Sequence, residues 1–171
     1  MIEDSGLPSY LKNKDIPFYK ILQEGKKIEE VSSDYDHVVK HSLSYLPKSI
    51  AILGIGEDGH TAGIAPNRTD FTNPIFSREQ QDLMVSYFKD PKPMSPEGNP
   101  APPYGFGQRI TLTINALTKM DNLIILAFGS AKQNALVSAF EEGSIEEIPL
   151  RFIKDKNVIQ RTLLITDQPV S

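Results

Sequence analysis

The stretch SIAILGIG (49–56) is an unbroken apolar run bounded by glycines. A run of this length and continuity fits a strand buried on both faces, as in a parallel sheet, better than a half-solvated strand or an amphipathic helix. DNLIILAFG (121–129) is a second run of the same kind, again ending in glycine. Between and around them lie segments with helical spacing. SSDYDHVVKHSLSYL (32–46) starts with Ser/Asp capping residues, carries apolar residues at Tyr35, Val38, Val39, Leu43 and Leu46, and is stopped by Pro47. SAKQNALVSAFEEG (130–143) has Ser130 as its N-cap and Gly143 just past its end. A short helix is expected over 5–14. Brief strands are expected at PFYKIL (17–22), QDLMVSYF (81–88), the start of RITLTINAL (109–117) and TLLITD (162–167). Strands alternating with helices predict an α/β fold with a mainly parallel sheet, whose ligands sit at the carboxyl ends of the strands. Here those ends are the loops after 49–54 and 121–128. The aromatics Tyr10, Phe18, Tyr19, Tyr35 and Tyr45 are expected in core or half-buried positions.

The length of 171 residues suits one domain, 1–171, with a real core. A net charge of −4 and a pI near 5.4 argue against bulk binding to nucleic acid or to an anionic membrane. The absence of cysteine excludes disulfides and thiolate chemistry. No apolar run is long enough for a membrane helix. The acidic, polar MIEDSGLPSYLKNK is unlike a signal peptide, so a soluble, cytoplasmic protein is expected. From 63 to 108 the chain is loop-rich. KDPKPMSPEGNPAPPYGFGQ (89–108) concentrates Pro and Gly, the composition of a functional loop or of disorder.

In AILGIGEDGHTAGIAPN (51–67), Gly54, Gly56 and Gly59 have the dinucleotide spacing G-x-G-x-x-G. That reading needs a helix starting within the motif. Pro66 follows seven residues after Gly59, with Gly63 between, and the acid twenty residues on, Glu79, is not at a strand end. A plain glycine turn accounts for the glycines but not for Asp58, His60 and Thr61 crowded beside them. A chemical reading fits better: glycines let backbone N–H groups converge on an anion or oxyanion, and His60 can take a proton from water. Asp58 can orient the imidazole, or can simply be a turn aspartate bonded to its own backbone. His37 and His41 are four apart on one helix, without a third ligand, and read as a solvated face. Lys132 lies near a helix N-terminus, where a lysine is more often solvated than bound to a ligand.

LGIGEDGHTAGIAP (53–66) resembles the signature of 6-phosphogluconolactonases, L-G-x-G-x-D-G-H-T-A-S-L-F-P. RITLTINALTKMDNLIILAFGSAKQNAL (109–136) resembles that family's second block. The likeness covers residues 50 to about 140. Gly63, Ile64 and Ala65 depart from the usual Ser, Leu and Phe, and the Pro-rich loop is longer than in the family. Glucosamine-6-phosphate deaminases, in the same superfamily, have a loop resembling D-G-H-I-A-F-N-E-P. Thr61 and GIAP place this chain nearer the lactonases.

The resemblance implies a Rossmann-like, mainly parallel sheet flanked by helices, but lacking the family's N-terminal βα portion, its G-G-[ST]-x-P loop and its D-E-R segment. It therefore implies a sheet edge or apolar face left uncovered. It implies hydrolysis of 6-phospho-D-glucono-1,5-lactone to 6-phosphogluconate without metal or other cofactor. His60 is the general base, assisted by Asp58. Gly54, Gly56, Gly59 and Thr61 line the substrate, with backbone amides of Gly54–Gly59 at the oxyanion. Arg109 holds the phosphate, and Lys92 is a second phosphate candidate that reads better as a free loop lysine. On this reading Arg109→Ala weakens substrate binding far more than it lowers stability. The expected partner is a phosphorylated sugar lactone, with no nucleic acid or membrane, and the protein is a monomer or weak homo-oligomer. The alternatives are a non-catalytic or partner-dependent sugar-phosphate-binding remnant and an aminosugar-phosphate isomerase/deaminase.

Overall fold

The apolar runs pair as parallel strands. β1 (Ile50–Gly54) aligns with β4 (Asn122–Ala127), and β4 aligns with β5 (Thr162–Thr166), giving the order β1-β4-β5. A separate antiparallel pair, β2 (Val85–Lys89) and β3 (Gln108–Leu112), sits in the chain between β1 and β4. The structure, a computed structural model, describes residues 2–21, 23–67, 75–76, 82–90, 96 and 107–169. Glu79 and Lys92 lie outside the described residues.

The helices are α1 (Leu7–Asn13), α2 (Ile28–Tyr45), α3 (Ile114–Lys119), α4 (Gln133–Phe140) and the single turn α5 (Lys156–Ile159). Short 3-10 segments stand at Glu3–Ser5, Ser130–Lys132 and Pro149–Lys154. The main core fills one face of the parallel sheet. Ala51, Leu53, Leu123, Ile125 and Ala127 point into it and meet Ile114 and Leu117 of α3, Leu136 of α4, Leu150 and Phe152 of the last 3-10 segment and Val158 of α5.

Several expectations change against this fold. The strand at 49–56 is buried on one face only, in an alternating pattern, and β4 shows the same bias. Both faces are apolar in sequence, but only one is covered. PFYKIL forms no strand over 17–20, since a strand needs a ladder partner and this stretch has none among the described residues. Tyr10, Phe18, Tyr19 and Tyr45 are exposed and lie outside the core, and of these aromatics only Tyr35 is half-buried. The second helix starts at Ile28, a turn earlier than the Ser/Asp cluster suggests. Glu30 reaches back to accept the backbone N–H of Lys27 there, and Glu29 and Glu30 sit favourably in the first turn. Ser130 caps no α-helix with its side chain; a 3-10 turn precedes α4.

α2 is tied to the antiparallel pair by a buried carboxylate. Asp36 accepts hydrogen bonds from the backbone N–H groups of Met84 (2.7 Å) and Val85 (2.9 Å), and Lys40 Nζ lies 2.6 Å from its other oxygen. Burial alone would raise this carboxyl. The Lys40 contact and the two amide bonds outweigh burial and hold it below its ordinary value of 3.8. A carboxylate depressed in the folded state stabilises fully above its unfolded value, and that stabilisation is lost as pH falls through the folded value. Asp36→Ala is therefore expected to lower stability by about 1–3 kcal/mol at pH 7, because two buried amides lose their acceptor. The loss should shrink below pH ~3.8, and urea unfolding at pH 7 and pH 3 checks both.

Candidate functional site

β1 ends at Gly54, and the chain then turns back on itself. The N–H of Gly56 donates to the His60 carbonyl at 2.8 Å, and that of Gly59 to the Gly56 carbonyl at 3.0 Å. Thr61 Oγ1 donates to the Gly54 carbonyl at 2.8 Å, and a bridge between Thr61 and Ile64 closes the next turn. This turn carries Ala62 at φ 49° and Gly63 at φ 74°. The glycines answer two needs. Gly59 sits at φ +86°, and a β-carbon there would press on Ile148. Gly56 is different: a β-carbon would run into the His60 ring and come 2.7 Å from Asp58 Oδ1. The imidazole thus lies directly over the backbone of Gly56.

Asp58 reaches His60 in both of the ways the sequence allows. Its Oδ1 accepts the backbone N–H of His60 at 3.2 Å, an Asx turn, and lies 2.5 Å from the imidazole Nδ1. A carboxylate at Nδ1 sets the proton on that nitrogen and leaves Nε2 with the lone pair. Both side chains remain partly open to solvent, at 45% for His60 and 42% for Asp58.

Arg109 arrives from the second element. Its aliphatic stem lies against Gly63, and Thr111, two residues along β3, donates from Oγ1 to the Ala62 carbonyl. The guanidinium Nε is 2.5 Å from Asp90 Oδ2, a carboxylate only 2% exposed, while the Arg109 side chain is 30% exposed. Asp90 is a residue the sequence reading missed. It follows β2 directly, and its N–H extends the antiparallel pairing by donating to Gly107 at 2.9 Å. The only sequence signal was an acid just before Pro91; its partner stands nineteen residues away through hairpin pairing.

The other expected site residues are placed as follows. Thr61 is fully buried and its hydroxyl is bonded to the Gly54 carbonyl, so it shapes the loop. The amides of Gly56 and Gly59 donate within the loop, to His60 and Gly56. Gly54 is a ladder residue paired with Leu126. His37 and His41 stay on α2, where His41 packs against Tyr45 with ring centroids 4.7 Å apart. Lys132 is half-buried at the end of the 3-10 turn that follows β4, at the same end of the sheet as the His60 loop.

Residues 5–164 match the family model described as glucosamine-6-phosphate isomerases/6-phosphogluconolactonase. The chain belongs to this family. A 6-phosphogluconolactonase from Helicobacter pylori is 27% identical over 132 residues, which span 76% of this chain and 50% of the relative. A glucosamine-6-phosphate deaminase from Lactobacillus johnsonii is also 27% identical over 132 residues, 76% of this chain and 49% of that protein. The solved structure of a 6-phosphogluconolactonase from Shewanella baltica has the same fold, with a TM-score of 0.61 at 18% identity, covering 95% of this chain and 62% of that one. The chain thus spans about half the length of the curated relatives it matches. Among the described residues no helix is long and apolar enough to cross a membrane.

The Asp90–Arg109 pair gives Arg109 a structural role beside the one expected of it in substrate binding. Arg109→Ala removes the cation beside a nearly buried carboxylate, which costs on the order of 3 kcal/mol. Asp90→Asn in the Arg109→Ala background should recover part of that loss, and a double-mutant cycle by chemical denaturation measures the coupling. Purely additive losses would show that the pair contributes nothing as a pair.

Proposed function

We propose that this family member acts on a phosphorylated sugar lactone, hydrolysing 6-phospho-D-glucono-1,5-lactone to 6-phosphogluconate, within a single domain formed by residues 1–171. The observation that carries the reading is the Asp58–His60 pair seated over Gly56 with Arg109 beside the following turn. His60 Nε2, with Asp58 holding the Nδ1 proton, takes a proton from water as that water attacks the lactone carbonyl carbon. The tetrahedral intermediate then breaks its bond to the ring oxygen, which receives the proton from His60. Arg109 binds the phosphate through its guanidinium, with Asp90 fixing the plane in which the remaining N–H groups lie. Lys92 is a second cation for the phosphate in this scheme. Relatives bearing the lactonase name, and Thr61 followed by GIAP in place of the deaminase pattern, favour the lactone over an aminosugar phosphate.

A second reading has an observation of its own. Half of the relatives' length has no counterpart here, and one sheet face is bare, which supports a sugar-phosphate-binding unit that turns over only with a further polypeptide. Lactone hydrolysis above the spontaneous background, measured on the purified chain, separates the two. Under the first reading the wild type is active and His60→Ala lowers kcat by roughly 10²–10⁴-fold without loss of folding. Asp58→Asn lowers kcat by about tenfold or more, with KM nearly unchanged. Wild-type turnover by His60→Ala overturns the assigned base. A folded but inactive chain that still binds 6-phosphogluconate by calorimetry supports the second reading. Deamination of glucosamine 6-phosphate overturns both.

A further inference from the structure

Asp36, Asp90 and Arg151 are the buried charged residues among those described. Asp36 ties α2 to the antiparallel pair and Asp90 holds Arg109, whereas Arg151 stands apart from both. Its side chain is only 7% exposed. Nε donates to the Ser138 carbonyl, in the last turn of α4, at 3.2 Å, and Nη1 donates to the Ser144 carbonyl at 3.2 Å. Nη1 also lies 2.5 Å from Glu147 Oε2, on a side chain that is 58% exposed. The Arg151 contact and the Ser144 amide hold the Glu147 carboxyl below its ordinary value of 4.5. Gly143, at φ +142°, gives this ion pair its space, because a β-carbon there would run into both Nη1 and Glu147 Oε2. A buried charge is costly where it only fills volume, since an apolar side chain would fill it as well. The guanidinium does what an apolar side chain cannot: it ties α4, Ser144 and Glu147 to one rigid plane.

These contacts fix the turn 144–148 from one side. Inside the turn, the Ser144 N–H donates to Glu147 Oε2 at 3.1 Å and the Glu147 N–H to Ser144 Oγ at 3.3 Å. The Arg151 N–H returns to the Ile148 carbonyl at 2.9 Å. From its other side the turn holds the His60 loop at two points. Ile148 packs on Gly59, where a β-carbon would come 2.7 Å from Ile148 Cδ1. The Glu146 carbonyl accepts the N–H of Asn67 at 2.7 Å. The two points bracket the stretch that carries His60 and the turn against which the Arg109 stem lies. Gly59 and Asn67 both have positive φ, 86° and 51°. A glycine adopts such a φ freely and leaves it as freely, so a contact from outside the loop narrows the choice.

We infer that Arg151 is a positioning residue for His60, acting through Glu147 and the turn 144–148 to hold Gly59 and Asn67 in place. Its side-chain hydrogen bonds go to Ser138, Ser144 and Glu147, and its effect on the imidazole passes through Ile148 and Glu146. The inference rests on the reading of His60 as the base for its kinetic readout; the state of the ring is read separately.

The test uses the purified chain with Arg151→Met, Glu147→Ala and Ile148→Ala, each first shown to be folded by circular dichroism. Arg151→Met is expected to lower kcat for lactone hydrolysis about tenfold or more with KM nearly unchanged, because a small misplacement of the base acts on the chemical step. Glu147→Ala, at an exposed side chain, should lower kcat in the same way and carries the test where Arg151→Met fails to fold. Ile148→Ala should add nothing to either, because all three release the same contact. In ring-nitrogen NMR of neutral His60, the wild type should show one tautomer, protonated at Nδ1, and the variants a mixture of two. An unchanged His60 spectrum in folded Arg151→Met or Glu147→Ala overturns the inference, as does full additivity with Ile148→Ala. An inactive wild-type chain whose His60 spectrum still responds to these variants sinks the lactone reading and upholds the positioning role.

Discussion

The parallel pairing of β1 with β4 holds up everything at the carboxyl end of the sheet. It fixes Gly54 opposite Leu126, and the Gly54 carbonyl is the acceptor that pins Thr61 and with it the whole return of the loop. Between those anchors the chain must reverse in the few residues from Ile55 to His60, so two amides are used internally and the imidazole is folded down onto the backbone. The absence of a side chain at Gly56 is what makes that space available. Glycine at this position therefore serves histidine placement, although the spacing in sequence is shared with phosphate loops. The carboxylate of Asp58, bonded to both the backbone and the ring of His60, removes the remaining freedom of the imidazole.

The second half of the site depends on a buried charge. Asp90 is nearly inaccessible, and a carboxylate taken out of water is tolerated only with a cation and hydrogen bonds around it. Arg109 supplies a cation, and the register that sets Phe88 opposite Arg109 leaves Asp90 one step beyond the paired strands, within reach of Nε. Arg109 is therefore both a structural counter-charge and the phosphate candidate. A guanidinium can do both, because it spreads five N–H donors over one rigid plane. A lysine, with one charged nitrogen, could not divide the roles in this way.

Much of this was legible in the sequence where local chemistry decides. The strands at 50–54, 122–127 and 162–166, the helix ending at Tyr45 and the glycine–histidine loop follow from apolar runs, a proline stop and residue types confined to a short window. The misreadings share one cause: they depend on partners distant in sequence. PFYKIL has strand composition but no neighbouring edge, so its backbone stays out of any ladder. Thr61 carries a family signature, yet its hydroxyl is consumed by a carbonyl seven residues back. Asp90 looked like the start of a Pro-rich loop because hairpin pairing, invisible to periodicity, delivers Arg109 to it. Tyr10 and Tyr19 read as core material because aromatic residues usually are, but the segment that carries them buries no residue.

The strand at 49–56 gives the most informative of these differences. Its sequence is that of a strand covered on both faces, and its neighbours across the sheet agree, since Ile124, Leu163 and Ile165 would be poor choices for permanent contact with water. Burying a branched aliphatic side chain is worth roughly 1.5–3 kcal/mol. Ile50, Ile52, Leu126, Leu163 and Ile165 together thus represent stabilisation comparable to the roughly 5–15 kcal/mol net stability of a typical domain. The covered face can hold the fold without that contribution, because its core is continuous from β1 to β5. The composition of the bare face is a different matter: nothing within the described residues requires it to be aliphatic.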